Sequence, residues 1–269
     1  MRILFLLLFV SFLVLTSCSS DVPDKEIVTV PKQDSVKDTI AAPLEVIEPN
    51  PALDSLTSFF TTTETLPFSI EAKNIEKIKL GKKLNRKQVK MLATSVVKND
   101  LFMDVEYAVE KFNIIDSVKA LGKYDEWKQQ LDMGAVMYSK AFCITHIKTG
   151  ENTSLLLWML DYQTEDACPF SYSKTIYATA IYKSKITETI VFAEQTGGGD
   201  APISFDGALN GTLTSDFKFI LSQKNELDDD NPKIEITEGN YELELKEGKF
   251  TFTKEEKKKP RFVKRKQNQ

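Results

Sequence analysis

An α+β fold, helical in its first part and an antiparallel β meander after that, is what this sequence predicts. Three observations carry the prediction. Between Asn85 and Leu131, apolar residues recur at helical spacing. From Gly134 onward the period shortens to two, in nine runs of strand length. Turn-forming residues separate those runs, among them Thr214-Ser215-Asp216, Glu238-Gly239-Asn240 and Lys246-Glu247-Gly248.

Folded sequence is expected to begin near Leu56 and to end near Thr253, a length able to bury a core as one domain or two small ones. Residues 55–133 form a mainly helical segment. Asn85 followed by Gln88 has the spacing of a capping box. Val89, Leu92, Ala93 and Val96 then fall on one helix face. Asp104 can cap a second helix that carries Val105, Ala108, Val109 and Phe112 in the same spacing. A weaker helical pattern runs from Asp116 to Leu131 and is interrupted at Gly122.

Residues 134–253 form the antiparallel β-rich segment, open between a sandwich, an open barrel and a curved sheet. Strands are expected at Ala135–Ile147, Ser154–Tyr162, Thr175–Lys183, Glu188–Glu194, Ile203–Leu213, Phe217–Ser222, Lys233–Thr237, Tyr241–Leu245 and Lys249–Thr253. Leu155-Leu156-Leu157-Trp158-Met159-Leu160 is apolar on both faces, so that strand should be covered on both sides. Gly197-Gly198-Gly199-Asp200 lacks the lysine of a phosphate loop and reads as a mobile loop between strands.

The N-terminus has a different chemistry. Arg2 precedes Ile3–Leu15, thirteen residues with one polar member, Ser11. As a helix they would reach about 20 Å, short of the roughly 30 Å hydrocarbon core, and they fit the apolar region of a secretory signal. The run closes on Leu15-Thr16-Ser17-Cys18. This stretch resembles the lipobox of bacterial lipoproteins. The resemblance implies that residues 1–17 are a signal peptide, that cleavage follows Ser17, and that Cys18 carries lipid. Ser19, in place of aspartate, resembles outer-membrane cargo. Residues 18–54 are expected to be a disordered tether. Half of the chain's ten prolines lie between positions 19 and 54, with eight acidic residues against three basic ones and no aromatic side chain.

Little of the remaining sequence points to catalysis. His146 is the single histidine. It falls three residues after Cys143 on an expected strand, which places the two on opposite faces and disfavours a Cys–His pair; a satisfied structural histidine is the expectation. No nucleotide, zinc-protease or serine-hydrolase motif is present, and no metal or cofactor is implied. Asp228-Asp229-Asp230-Asn231 lacks the alternate spacing of a calcium loop and reads as a solvated turn. Asp161, Glu165, Asp166, Asp200 and Asp206 could supply the two carboxylates of a glycosidase. In the compartment such a signal leads to, Cys143 and Cys168 are a candidate disulfide.

Residues 254–269 form a basic tail, expected to be disordered, with eight Lys and Arg against two Glu in a chain of net charge −4. Lys257, Lys258, Lys259, Arg261, Lys264, Arg265 and Lys266 are its candidate contacts with anionic envelope lipid or polysaccharide. Nucleic acid does not suit an acidic, exported chain. Two functions follow as expectations: a lipid-anchored envelope binding or structural module, or a lipid-anchored glycan hydrolase.

Overall fold

Asn50 starts the first helix, α1 (Pro51–Thr57), by accepting a hydrogen bond from the backbone N–H of Leu53 at 3.2 Å. Pro51 fits behind it because the first turn leaves its N–H groups unpaired in any case. Leu53 and Leu56 are buried. Residues 51–54, expected to belong to the tether, are helical, and Pro51 is the helix's first-turn proline.

The structure is a computed structural model. It describes residues 48–63, 65–93, 97, 138–165, 170–200, 202–229 and 231–264, all within one compact unit, Val46–Gln269. Cys18, the signal segment, Cys168 and the helices expected over 104–112 and 116–131 lie outside the described residues.

Among the described residues the fold is mostly β, with a few short helices, where an α+β fold was expected. The predicted capping box forms: Asn85 and Gln88 exchange side-chain to backbone bonds at 3.0 and 2.9 Å. It opens α2 (Arg86–Leu92), only seven residues long, with Val89 and Leu92 fully buried. A 3-10 helix spans Ala72–Lys77. Three short strands lie between these helices: β1 (Thr62–Thr63), β2 (Phe68–Ile70) and β3 (Lys83–Leu84).

The rest is one large, open, largely antiparallel meander. Its strands are β4 (Tyr138–Lys148), β5 (Thr153–Glu165), β6 (Phe170–Tyr182), β7 (Lys185–Asp200), β8 (Ile203–Leu213), β9 (Lys218–Asp228), β10 (Lys233–Lys246), β11 (Lys249–Lys257) and β12 (Arg261–Lys264). They are ordered β1-β4-β5-β6-β7-β8-β9-β10-β11, and β12 pairs with β10 beyond the end of β11. The β1–β4 pairing is parallel and makes the sheet mixed.

Several strands run longer than their hydrophobic pattern. The two expected at 233–237 and 241–245 are one strand, because Gly239 has ladder partners on both sides, Gln223 and Lys257. The glycine run 197–199 is not a loop but the end of β7, paired with both β6 and β8. Phe217, expected to open a strand, occupies the preceding turn at φ 61°, where the Thr214 N–H reaches Lys218 O at 2.9 Å.

Leu155 to Leu160 are all buried, as their two-faced apolar pattern predicts. Trp158 stacks on Tyr177 at 4.3 Å and donates its indole N–H to Thr179 Oγ1 at 2.9 Å. The carbonyl of Leu92, at the end of α2, accepts hydroxyl bonds from Thr189 (2.7 Å) and Thr179 (3.3 Å). Sheet threonines thus satisfy a helix-end carbonyl that the helix itself cannot.

The same core continues where β7 passes from β6 to β8. Residues 194–200 of β7 pair with β8, whereas residues 185–191 pair only with β6. The freed end of β8 takes β2 as its partner, Ile70 opposite Gly211. Phe192, Phe219 and Phe250 then meet edge to face, at 6.1 and 5.2 Å between ring centres.

Candidate functional site

Tyr172, Gly197, Asp206 and Glu226 stand opposite one another in a single register row across β6, β7, β8 and β9. Residues matched in this way share one face of a sheet. Gly197 leaves the row open. A Cβ there would lie 2.5 Å from the Tyr172 hydroxyl oxygen and 2.7 Å from Asp206 Oδ1. In that gap the Tyr172 hydroxyl donates to Asp206 at 3.2 Å. Burial, then the Asp206 charge and its hydrogen bond, push the Tyr172 phenol above its usual range, so it remains a donor.

Two shallow depressions meet at this pair. One, about 280 Å³, extends over Lys73, Gln195, Lys224 and Glu226. The other, about 440 Å³, extends over Gly198, Gly199 and Pro202. Lys224 pairs with Glu226. The 3-10 helix borders the trough, held by Lys174 Nζ to Glu76 Oε1 at 2.5 Å and by the Ala72 N–H to Asn210 Oδ1 at 2.8 Å. The trough is open, polar and aromatic on one wall, a shape that suits an extended polar ligand more than an enclosed reaction.

Of the five carboxylates read as hydrolase candidates, Asp206 is in the trough. Asp161 is half-buried in β5, opposite Lys174, and Asp200 is exposed at the end of β7. Asp166 and the side chain of Glu165 lie outside the described residues. The partner that the sequence reading missed is Glu226. Counting outward from the Thr214–Phe217 turn brings Asp206 opposite Glu226, but the expected strand stopped at Ser222, short of it.

A bulge revises the Cys143–His146 geometry. Cys143 pairs with Trp158 and Thr145 with Leu157, so Ile144 is the extra residue. His146, opposite Leu156, therefore returns to the face of Cys143. The chemistry still opposes a thiolate–imidazolium pair. Burial pushes the Cys143 thiol up to about 11, and burial, followed by the Lys148 charge, holds the His146 imidazole below its usual value. Both are neutral at pH 7. The Nε2 of His146 is enclosed with no protein hydrogen-bond partner among the described residues. Cys143 is a free, buried thiol, and the segment after Ile78 covers it, with Gly81 N–H to Cys143 O at 2.8 Å and Cys143 N–H to Lys82 O at 2.9 Å. Asn231 folds back on Asp229 through its side chain at 2.7 Å, a local turn. No group of three or more His, Cys, Asp or Glu among the described residues is placed to hold a metal ion.

The basic tail is not disordered through residue 264. Residues 254–257 continue β11, and 261–264 form β12. Glu238 spans the junction of the two strands: it accepts from Lys258 Nζ and Arg261 Nη2, both at 2.8 Å, while the Lys258 N–H bonds to its carbonyl. Lys257 pairs with Glu255. Three of the seven candidate bases are thus already matched to carboxylates. Lys259 and Lys264 are exposed, and Arg265 and Lys266 lie outside the described residues.

No family model, curated protein or solved structure matches this chain.

Proposed function

We propose that this is a lipid-anchored bacterial envelope protein whose sheet domain is a binding module, with the Tyr172–Asp206 trough as its ligand surface. One observation carries the reading: Leu15-Thr16-Ser17-Cys18 directly follows a thirteen-residue apolar run behind Arg2. Lipid on Cys18 would hold the chain at a membrane, outer by the Ser19 rule, and the proline-rich stretch would carry the domain away from it. One acyl chain binds only marginally, so a stable anchor needs two or more. Among the described residues no helix is long and apolar enough to cross a membrane.

The test is Cys18→Ala in the full chain. Wild type partitions with membranes and labels with a clickable fatty acid; the variant does neither. A variant that labels and fractionates like wild type removes the lipoprotein reading.

The second reading, glycan hydrolysis, is favoured by Asp206 and Glu226 sharing a register position. It requires a carboxyl that stays protonated as the acid. Release of reducing ends from isolated envelope glycan, abolished by both Asp206→Asn and Glu226→Gln, would establish hydrolysis over simple binding.

A further inference from the structure

Phe205, Leu227, Glu235 and Phe262 are matched in register across β8, β9, β10 and β12, so they occupy one face at one end of the sheet. One step outward on the same face stand Ile203 and the directly opposed pair Lys233–Lys264. Phe262 is 60% exposed, Ile203 50% and Leu227 39%. These are three of the six large exposed hydrophobics among the described residues.

Two features of this end are unfavourable in water alone. Leu227 and Ile203 stand exposed on one side of Glu235 and Phe262 on the other, a grouping on one face that singly scattered side chains would not show. Two lysines also face each other across a ladder, an arrangement that like charges disfavour, and neither has a carboxylate partner among the described residues. Glu235 is the one acid in the matched row. A surface that is apolar within and anionic at its boundary relieves both features. Aromatic and aliphatic side chains enter it, while lysine stems lie along the apolar zone with their ammonium groups at the phosphates.

We propose that this end of the sheet is a contact surface for an anionic lipid bilayer. Phe262, Leu227 and Ile203 enter the headgroup–acyl boundary, and Lys233 and Lys264 meet lipid phosphates. A soluble polyanion would satisfy the lysines and leave the apolar row in water, which is why the occupant is lipid. The proposal deepens the envelope reading but does not depend on the Cys18 lipid, and the two can fail separately.

The experiment uses the chain from residue 18 carrying Cys18→Ala, so that no acyl chain contributes. Binding is measured to vesicles of phosphatidylcholine alone and mixed with phosphatidylglycerol, and to dextran sulfate. The mixed vesicles should bind at least about tenfold more tightly than the neutral ones. Phe262→Ser should lose about tenfold on mixed vesicles, and Lys264→Glu should lose a similar factor. Ile220→Ser removes an exposed side chain elsewhere on the sheet and should change nothing. Phe262→Trp keeps the aromatic body, and its emission should shift to the blue on mixed vesicles. Equal affinity for both vesicles, wild-type binding by Phe262→Ser, or an unshifted Trp spectrum would overturn the proposal. So would dextran sulfate binding as tight as vesicle binding and indifferent to Phe262→Ser. Unchanged circular dichroism in each variant shows that a loss of binding is not a loss of fold.

Discussion

Leu155 to Leu160, in the middle of β5, are six apolar residues in succession, none more than 3% exposed. Along the opposite side of the sheet, every residue from Thr253 to Lys264 is exposed. Both stretches are extended and both pair with neighbours, so backbone hydrogen bonding does not separate them. The difference is what covers the faces. β5 has ladders on both sides and packed side chains above and below, so charge anywhere on it would be stranded. β11 and β12 have one ladder only, to β10. Their lysines and glutamates keep the open side wet, and Pro260 interrupts the donor row. These features protect an edge strand from pairing with another chain. The comparison separates residues that build the core from residues that shield an edge.

The largest effect expected from breaking this contrast lies in the centre. Trp158→Ala removes the ring stacked on Tyr177 and leaves Thr179 without its indole donor. A loss of about 3–5 kcal/mol is expected, read as a fall in the urea midpoint at unchanged slope. A loss under about 1 kcal/mol would mean that the site collapses around the gap.

An intermediate effect belongs to the stretch where β7 passes from β6 to β8. A Cβ on Gly211 would lie 2.0 Å from the carbonyl oxygen of Phe192. Gly211→Ala must push β8 away from β7 and is expected to cost about 1–3 kcal/mol. The aromatic near-ultraviolet signal of Phe192, Phe219 and Phe250 should change with it.

The smallest effect belongs to the edge. Glu238→Gln releases Lys258 and Arg261 together. Hydrogen exchange at residues 261–264 should accelerate while the global unfolding midpoint stays where it was. Acidification should mimic the substitution. Lys258, then Arg261, hold the Glu238 carboxyl below its usual range. Its contribution is therefore complete above the ordinary carboxylate value and is lost as pH falls through the lowered one. If exchange at 261–264 is unchanged both in the variant and in acid, β12 is held by its ladder alone.

Much of this could be read from residue order. The capping box at Asn85 and Gln88, the two-faced burial of 155–160, the hairpin turn at Lys246–Gly248 and the span of β8 all follow from local chemistry, because spacing and turn residues act over a few positions. Strand lengths did not follow. β7 gains its glycines, β10 its Gly239 and β11 its lysines from pairing with the neighbouring strands, and no local hydrophobic pattern marks them. The trough was half legible. Asp206 was a candidate, but Glu226 became its neighbour only through the β8–β9 register. The Ile144 bulge likewise reversed a face assignment that rests on strict alternation.

The sequence by itself determined the chemical zoning: an apolar N-terminal run closing on Cys18, a proline-rich stretch, an apolar β centre and a basic end. Those are properties of composition and short-range order, and they hold wherever the chain goes. Tertiary structure alone decided that Glu238 would meet Lys258 and Arg261 where β11 gives way to β12, that Tyr172 would reach Asp206 across Gly197, and that Phe262 would stand in line with Leu227 beside two facing lysines. Each of these depends on register between strands separated in sequence, which is set by how the whole sheet packs.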